Sequence, residues 1–323
     1  MNDPSPRTLT RRDAIKLGLL AGTGLAFSRG LPLAEALASD ELRTRPIPGS
    51  GEAIPVVGVG TNRWGVETEE EIGALREILR VMQADGARVI DTARGYGGGR
   101  AEEVIGGLVR EADASDEVFI ASKVGTPESR DEAVGLLEAS LDALGMESVS
   151  AMRAHSLAGA ELLFPILREW KEGGRIRYFG VTTMSSEQYP ELERLIRDET
   201  PDIIEIDYSV LYRPAAQRIL PMAQEEGIAV LVARPFGGSR GTVFSHVGDR
   251  TLPDFAAEIG ATSWAQLCLK YIVAHPAVTA VIPGTTDPGH FADNLGAARG
   301  ELPDADMRRR IEQIFEDLDV VRG

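Results

Sequence analysis

Four residues in the first half of the chain could carry a reaction together. Asp91 ends the β-branched run ARVIDT (87–92) and opens DTARGY, which brings in Tyr96 five residues later. Lys123 ends EVFIASK (117–123), and His155 ends SVSAMRAH (148–155). Reducing a carbonyl with hydride leaves negative charge on its oxygen, which must then take a proton. A free tyrosine, with a pKa of about 10, gives its proton reluctantly at neutral pH. A lysine ammonium alongside is expected to lower that pKa, and a carboxylate would keep the lysine charged and in place. An imidazole can donate to the carbonyl oxygen and orient it. Singly, each residue has a blander use as a turn cap, a solvated strand end or a satisfied core group. Their joint pattern carries the reading.

Such a set works only if successive strand ends share one rim. Eight short β-branched segments are candidates: 54–60, 87–92, 117–123, 148–155, 177–183, 202–208, 228–234 and 277–284. Helix-periodic stretches stand between them, among them TEEEIGALREILRVMQADG and ELLFPILREWKEGG, both ending in glycine. Eight strand–helix units predict an α/β fold, a single-domain (β/α)8 TIM barrel over 51–323, with chemistry at the C-terminal strand ends. A longer loop region with one short helix is expected at 235–261, and a C-terminal extra helix at about 303–318. Residues 39–50, with prolines and a serine, read as a loose N-terminal arm.

The chain starts differently. TRRDAIKLGLLAGTGLAFSRG (10–30) sets Arg11, Arg12 and Lys16 before an uncharged run of 12 residues, Leu17 to Ser28, and Ala-Leu-Ala follows at Ala36–Ala38. About 20 residues are needed to span a bilayer, so this is no stable membrane anchor. Positive start, weak apolar stretch and small-residue cleavage site form a secretory signal of the twin-arginine kind over 1–38. Export machinery is the expected partner, and a periplasmic or extracellular location follows. Removing that segment takes away two net positive charges and turns the chain's −16 into −18. So negative a surface repels phosphate backbones and anionic lipid, which argues against nucleic-acid and membrane partners. Cys268, in WAQLCLKYIV, cannot form an internal disulfide and reads as a small core residue. No cysteine–histidine cluster suggests a metal. His246 and His275 read as surface or capping groups, and Trp170 and Trp264 as core or interface residues. The acidic ETEEE (67–71) reads as a helix first turn.

DTARGY, FIASK and RAH, in this order and spacing, resemble the aldo-keto reductase signature. The likeness runs over nearly all of 45–320 and is closest to an exported branch of that family. It implies NADPH chemistry on a small carbonyl substrate, with Asp91, Tyr96, Lys123 and His155 as the catalytic positions. IPGTTDPGHFADNL (282–295) resembles the family's nucleotide segment: a strand end, two hydroxyls, then Asp287-Pro288 as N-cap and first helical residue. The resemblance places Gly284 and Thr285 on phosphate, His290 at the 2′-phosphate and Asp293 and Asn294 at adenine. His290 stands where arginine is common, which leaves NADH possible. Thr182 and Thr183, from GVTT, fall at the carboxamide, as does Glu205 in place of glutamine. Arg234 replaces an aromatic that stacks on nicotinamide, and Asn62 a substrate-pocket tryptophan. The rival reading is a nucleotide-binding redox sensor or auxiliary protein of the same fold with slow catalysis.

Overall fold

The computed structural model describes residues 41–238 and 241–318, and the signal expected at 1–38 lies outside the described residues. Eight parallel strands follow one another around a sheet: β1 Val59–Gly60, β2 Val89–Asp91, β3 Phe119–Val124, β4 Val149–Ala154, β5 Ile176–Thr183, β6 Ile203–Asp207, β7 Ala229–Ala233 and β8 Ala280–Val281. Hydrogen bonds from Gly58 N–H to the Val281 carbonyl (2.9 Å) and from Gly60 N–H to that of Pro283 (3.0 Å) join the last strand to the first. The expected (β/α)8 barrel is thereby closed. Its outer helices include α1 Glu69–Asp85, α2 Arg100–Glu111, α3 Arg130–Leu144, α4 Ala160–Glu172, α5 Tyr189–Glu199, α6 Ile219–Glu225, α7 Trp264–Val273 and α8 Pro288–Leu295, and α9 Ala305–Asp317 is the extra C-terminal helix. The glutamates that end ETEEE open α1, where Thr68 and Glu71 form a capping box.

Two apolar bodies hold the barrel. Cys268, Trp170 and most other buried side chains lie between sheet and helices. A smaller set fills the barrel itself: Val89, Phe119, Ala121, Ala151, Tyr178, Ile203, Ala229, Leu231, Ala280 and Ile282, with Ile47 and Ile54. Strand alternation sends residues two apart to the same face, so the positions above these apolar ones also point inward. They are Asp91, Lys123, Arg153 and Glu205, all buried.

Two boundaries depart from the sequence reading. The first strand candidate, 54–60, is split: Ala53–Pro55 belongs to a hairpin and only Val59–Gly60 to the barrel. Pro55 has no N–H with which to continue a ladder. Nor do the described residues of 39–50 form a loose arm. Thr44–Pro46 pairs antiparallel with Ala53–Pro55, and Ile47 is buried. Arg45 donates to the carbonyls of Val273 (2.6 Å), His275 (2.7 Å) and Val278, satisfying acceptors left at the end of α7.

His275 sits at that junction, its ring edge-on to Tyr208 at 6.1 Å, and its Nδ1 accepts the Ala277 N–H at 3.3 Å. It is half-buried and caps the turn. Burial, with the charges of Arg308 and Arg45, lowers its pKa to about 4. The unfolded chain therefore takes up a proton at about pH 6.5 that the fold refuses until about pH 4. His275 stabilises fully above pH 6.5, and that contribution is lost as the pH falls toward 4. Urea denaturation midpoints for His275→Gln should accordingly depend less on pH over this range than those of the parent; an equal dependence would refute the assignment.

Candidate active site

A cavity of about 980 Å³ opens at the C-terminal rim. Asp91, Tyr96, His155, Thr182, Thr183, Glu205, Arg234 and Gly284 line it, with Asn62, Arg63, Met184, Phe236 and Phe244. Lys123 lies fully buried beneath Tyr96, its Nζ 5.2 Å from the centre of the phenol ring. The His155 ring meets that of Tyr96 edge-on, with centroids 5.7 Å apart. The barrel thus gathers the four residues singled out by type and spacing.

Local structure explains how each is held. Asp91 and Lys123 end or nearly end their strands, and His155 follows β4 with its N–H on the Val124 carbonyl at 2.9 Å. Tyr96 stands on a turn whose next three residues, Gly97, Gly98 and Gly99, all have positive φ. Side chains are disfavoured there. A Cβ on Gly97 would also come within 2.7 Å of the Gly65 backbone, so the turn seats directly on the loop after β1. Beyond it, Glu102 at the start of α2 accepts hydrogen bonds from Ser122 (2.6 Å) on β3 and Ser140 on α3, which fasten the helix to both.

Beneath the phenol the charges alternate. Lys123 Nζ donates to Asp91 Oδ1 at 2.6 Å and to the Thr92 carbonyl at 3.0 Å, and lies 3.2 Å from Glu205 Oε2. Arg153 donates through Nη1 to Glu205 Oε2 at 2.5 Å, and through Nη2 to Asp91 Oδ2 and the Ala121 carbonyl. Burial would raise Asp91, but the charges of Arg153 and Lys123 and their hydrogen bonds hold it below its ordinary value. Burial would lower Lys123, but Asp91 and Glu205 hold it above. Burial lowers His155, helped by the charge of Lys123, and keeps its imidazole neutral at pH 7.

Tyr96 departs from the sequence expectation. Its pKa is raised, because burial first, and then the Asp91 and Glu205 charges, outweigh the pull of Lys123. The ammonium's charge by itself would lower it. In the barrel that ammonium is already shared between two carboxylates.

The residues expected to hold nucleotide divide into two groups. Thr182, Thr183, Glu205, Arg234 and Gly284 line the cavity. A Cβ on Gly284 would fall 2.9 Å from Asn62 Oδ1, so a side chain there would displace the exposed Asn62 amide. Arg234 takes a positive φ of 50° at the end of β7, a strained conformation for a side-chain-bearing residue, and its Nη1 lies 3.6 Å from Asp207. Thr285, His290, Asp293 and Asn294 lie farther along, on the loop and helix after β8. Thr285 Oγ1 accepts the Asp287 N–H at 3.0 Å, and Asp287 caps α8 by accepting the exposed His290's N–H at 2.9 Å. Asp293 has both oxygens engaged, by Ser263 (2.6 Å) and Gln266 (2.7 Å), and Asn294 is buried. Trp64 is buried rather than in the cavity; its indole N–H holds the Thr285 carbonyl at 2.8 Å. Among the described residues no group of three His, Cys, Asp or Glu could hold a metal, and no helix is long and apolar enough to cross a membrane.

Arg153 is the residue the sequence reading missed. Its signal was there: an arginine inside an otherwise uncharged strand, two positions after inward-facing Ala151, has to meet an anion.

Comparison with known proteins agrees with this architecture. A holo structure of aldo-keto reductase AKR11C1 from Bacillus halodurans superposes with a TM-score of 0.71 at 20% identity, over 85% of this chain and 96% of that one. An aldo-keto reductase from Klebsiella pneumoniae in complex with NADPH gives 0.69 at 24%, over 85% and 95%. In sequence, the methylglyoxal reductase YeaE of Escherichia coli is 26% identical over 82% of this chain and 93% of that one. Oxidoreductase sirO of Leptosphaeria maculans is 28% identical over 58% of this chain, a match spanning 61% of that relative's length. The sequence model of the Aldo/keto reductase family matches residues 56–315, and the chain belongs to that family.

Proposed function

We propose that this chain is an exported NAD(P)H-dependent oxidoreductase that reduces an aldehyde or ketone, with Tyr96 as the proton donor. The observation that carries the reading is the seating of Tyr96 between Lys123, 5.2 Å from its ring centre, and the His155 ring at 5.7 Å, on the floor of an open cavity. The cofactor would supply hydride to the carbonyl carbon. A neutral His155 orients the carbonyl oxygen by donating a hydrogen bond to it. Tyr96 gives its proton to that oxygen, and the fixed charge of Lys123 beneath steadies the phenolate left behind. Asp91 holds Lys123 charged.

The cavity suits the nicotinamide end of such a cofactor: Thr182, Thr183, Glu205 and Arg234 surround its floor, and bare Gly284 allows close approach of the backbone. Thr285, His290, Asp293 and Asn294 would take the phosphate and adenine end. NADPH is favoured by the Klebsiella complex, and NADH remains open because the NADH-specific methylglyoxal reductase of Escherichia coli is 25% identical over 79% of this chain. Export rests on Arg11-Arg12, the short apolar run and the Ala36–Ala38 cleavage site. The twin-arginine route carries folded proteins, which suits a barrel loaded with nucleotide in the cytosol.

Fluorescence titration with NADPH and NADH, followed by aldehyde addition while the nicotinamide absorbance is recorded, tests the reading. Saturable binding and repeated turnover are expected. Binding with a single slow turnover would favour the redox-sensor alternative, and no binding would overturn both. N-terminal sequencing of protein from the periplasm should begin after Ala38; a chain retained in the cytosol with residues 1–38 attached would overturn export.

A further inference from the structure

Arg153 and Glu205 lie in the barrel's top layer but outside the four-residue assignment, and the resemblance gives Glu205 to the cofactor. Their surroundings say otherwise. Arg153, Lys123, Asp91 and Glu205 form a closed ring in which each cation touches both anions: Arg153 reaches Asp91 Oδ2 and Glu205 Oε2 (2.5 Å), and Lys123 reaches Asp91 Oδ1 (2.6 Å) and Glu205 Oε2 (3.2 Å). Thr182 Oγ1 donates to the same Glu205 oxygen at 3.2 Å. Glu205 is thus first a counter-ion.

The pair is not needed for net charge. Asp91 with Lys123 is already neutral, and burying two more charges is costly, so an apolar pair of similar volume would serve stability as well. What Arg153 and Glu205 add is position. Arg153's planar fork takes the carboxylate oxygen of Asp91 that Lys123 does not use, so Asp91 cannot rotate away. Glu205 gives Lys123 a second carboxylate, fixing its nitrogen among Asp91, Glu205 and the Thr92 carbonyl. On the neighbouring strand Arg153 is paired with Gly180, where a Cβ would stand 1.9 Å from the Ile203 carbonyl oxygen and 3.2 Å from Arg153 Cγ, so glycine lets β6 and the Arg153 stem approach together.

We infer that Arg153 and Glu205 are a positioning pair, acting as one unit to hold Asp91 and Lys123 in place under Tyr96. The charged and titratable groups facing Tyr96 are Lys123 from β3, Asp91 from β2, Glu205 from β6, Arg153 from β4 and His155 just after β4. Removing Glu205's charge leaves Tyr96 nearer to unbalanced cations, and its phenol should ionise at lower pH. Removing Arg153's charge does the reverse.

The test uses Arg153→Met, Glu205→Gln, the double variant and Arg153→Lys in the full chain. Tyrosinate absorbance is titrated in nucleotide-free protein, with Tyr96→Phe as the subtraction, alongside NADPH affinity and the pH dependence of kcat. Each neutralising single variant is expected to lose about tenfold or more in kcat and to move the Tyr96 titration, downward for Glu205→Gln and upward for Arg153→Met. The double variant should be no worse than the poorer single, with Tyr96 titrating near its parent value. Arg153→Lys should not rescue, because a lysine there lacks the two separate nitrogens with which the fork takes Glu205 Oε2 and Asp91 Oδ2. Multiplicative losses in the double variant, or rescue by lysine, would overturn the pairing. So would a Glu205→Gln variant that binds NADPH about tenfold more weakly while kcat and the Tyr96 titration stay unchanged, since Glu205 would then be a cofactor ligand. If a single variant does not fold, the double variant decides: a parent-like fold and titration supports the pair, and loss of either overturns it. The kinetic and NADPH-affinity arms rest on the reductase reading. A parent chain that never oxidises NADPH sinks that reading, whereas the phenol titration still tests the pair.

Discussion

Tyr96→Phe is expected to lower kcat about a thousandfold while leaving NADPH affinity within about twofold, since positioned proton transfer is typically worth two to four powers of ten. The substitution removes one oxygen and little else. A phenyl ring keeps the edge-on contact with His155 at 5.7 Å and the face presented to Lys123 Nζ at 5.2 Å, and the charge ring beneath has no bond that depends on the hydroxyl to hold Asp91 or Glu205. The raised pKa of Tyr96 adds a second signature. The phenol stays protonated through neutral pH and into the alkaline range, so kcat of the parent should be flat there and fall only where Tyr96 ionises. Steady-state kinetics across pH, with fluorescence titration of NADPH, measure both. A Tyr96→Phe variant turning over at a tenth of the parent rate or better would remove Tyr96 as the acid.

Lys123→Met should be the most destabilising single change in the site. Methionine fills much the same space, but Asp91 and Glu205 are then buried against Arg153 alone. Breaking a buried ion pair on one side costs about 3–5 kcal/mol. In a chain of this size that corresponds to a fall in Tm of about 10 °C. The sign of the pH dependence separates charge from packing. In the parent, Asp91 is held below its ordinary value, so its stabilisation is complete above about pH 4 and is lost only as the pH falls further. In the variant the under-compensated carboxyl takes up a proton more readily, so the variant gains on acidification relative to the parent. The gap in Tm should therefore narrow from pH 7 toward pH 4. A constant gap would make the loss one of packing, and a gap under about 2 °C at pH 7 would mean that the ring of charges contributes little.

Much of this protein is written locally. Short β-branched runs ending in Asp91, Lys123 and His155, spaced by helix-periodic stretches, two of which end in glycine, are enough to imply eight strands and one chemically equipped rim, because β propensity and helix periodicity are properties of neighbouring residues. The same holds for the cap Asp287-Pro288 and for ETEEE as a helix start. Which charges meet is a different kind of fact. Arg153 finds Asp91 62 residues away and Glu205 52 away, and only closure of the barrel with a fixed register brings them to one inward layer. Burial of the phenol, and then the charges of those two carboxylates, reversed the expected direction at Tyr96 by outweighing the pull of Lys123. Closure likewise drew residues 44–46 of the expected arm into a hairpin, through carbonyls at the end of α7 that Arg45 reaches across the fold, and engaged Asp293 with Ser263 and Gln266. Sequence determined the strands, the rim and the residue types delivered to it; tertiary structure decided their partners, because the strength and sign of a buried charge's influence depend on every other charge within a few ångströms.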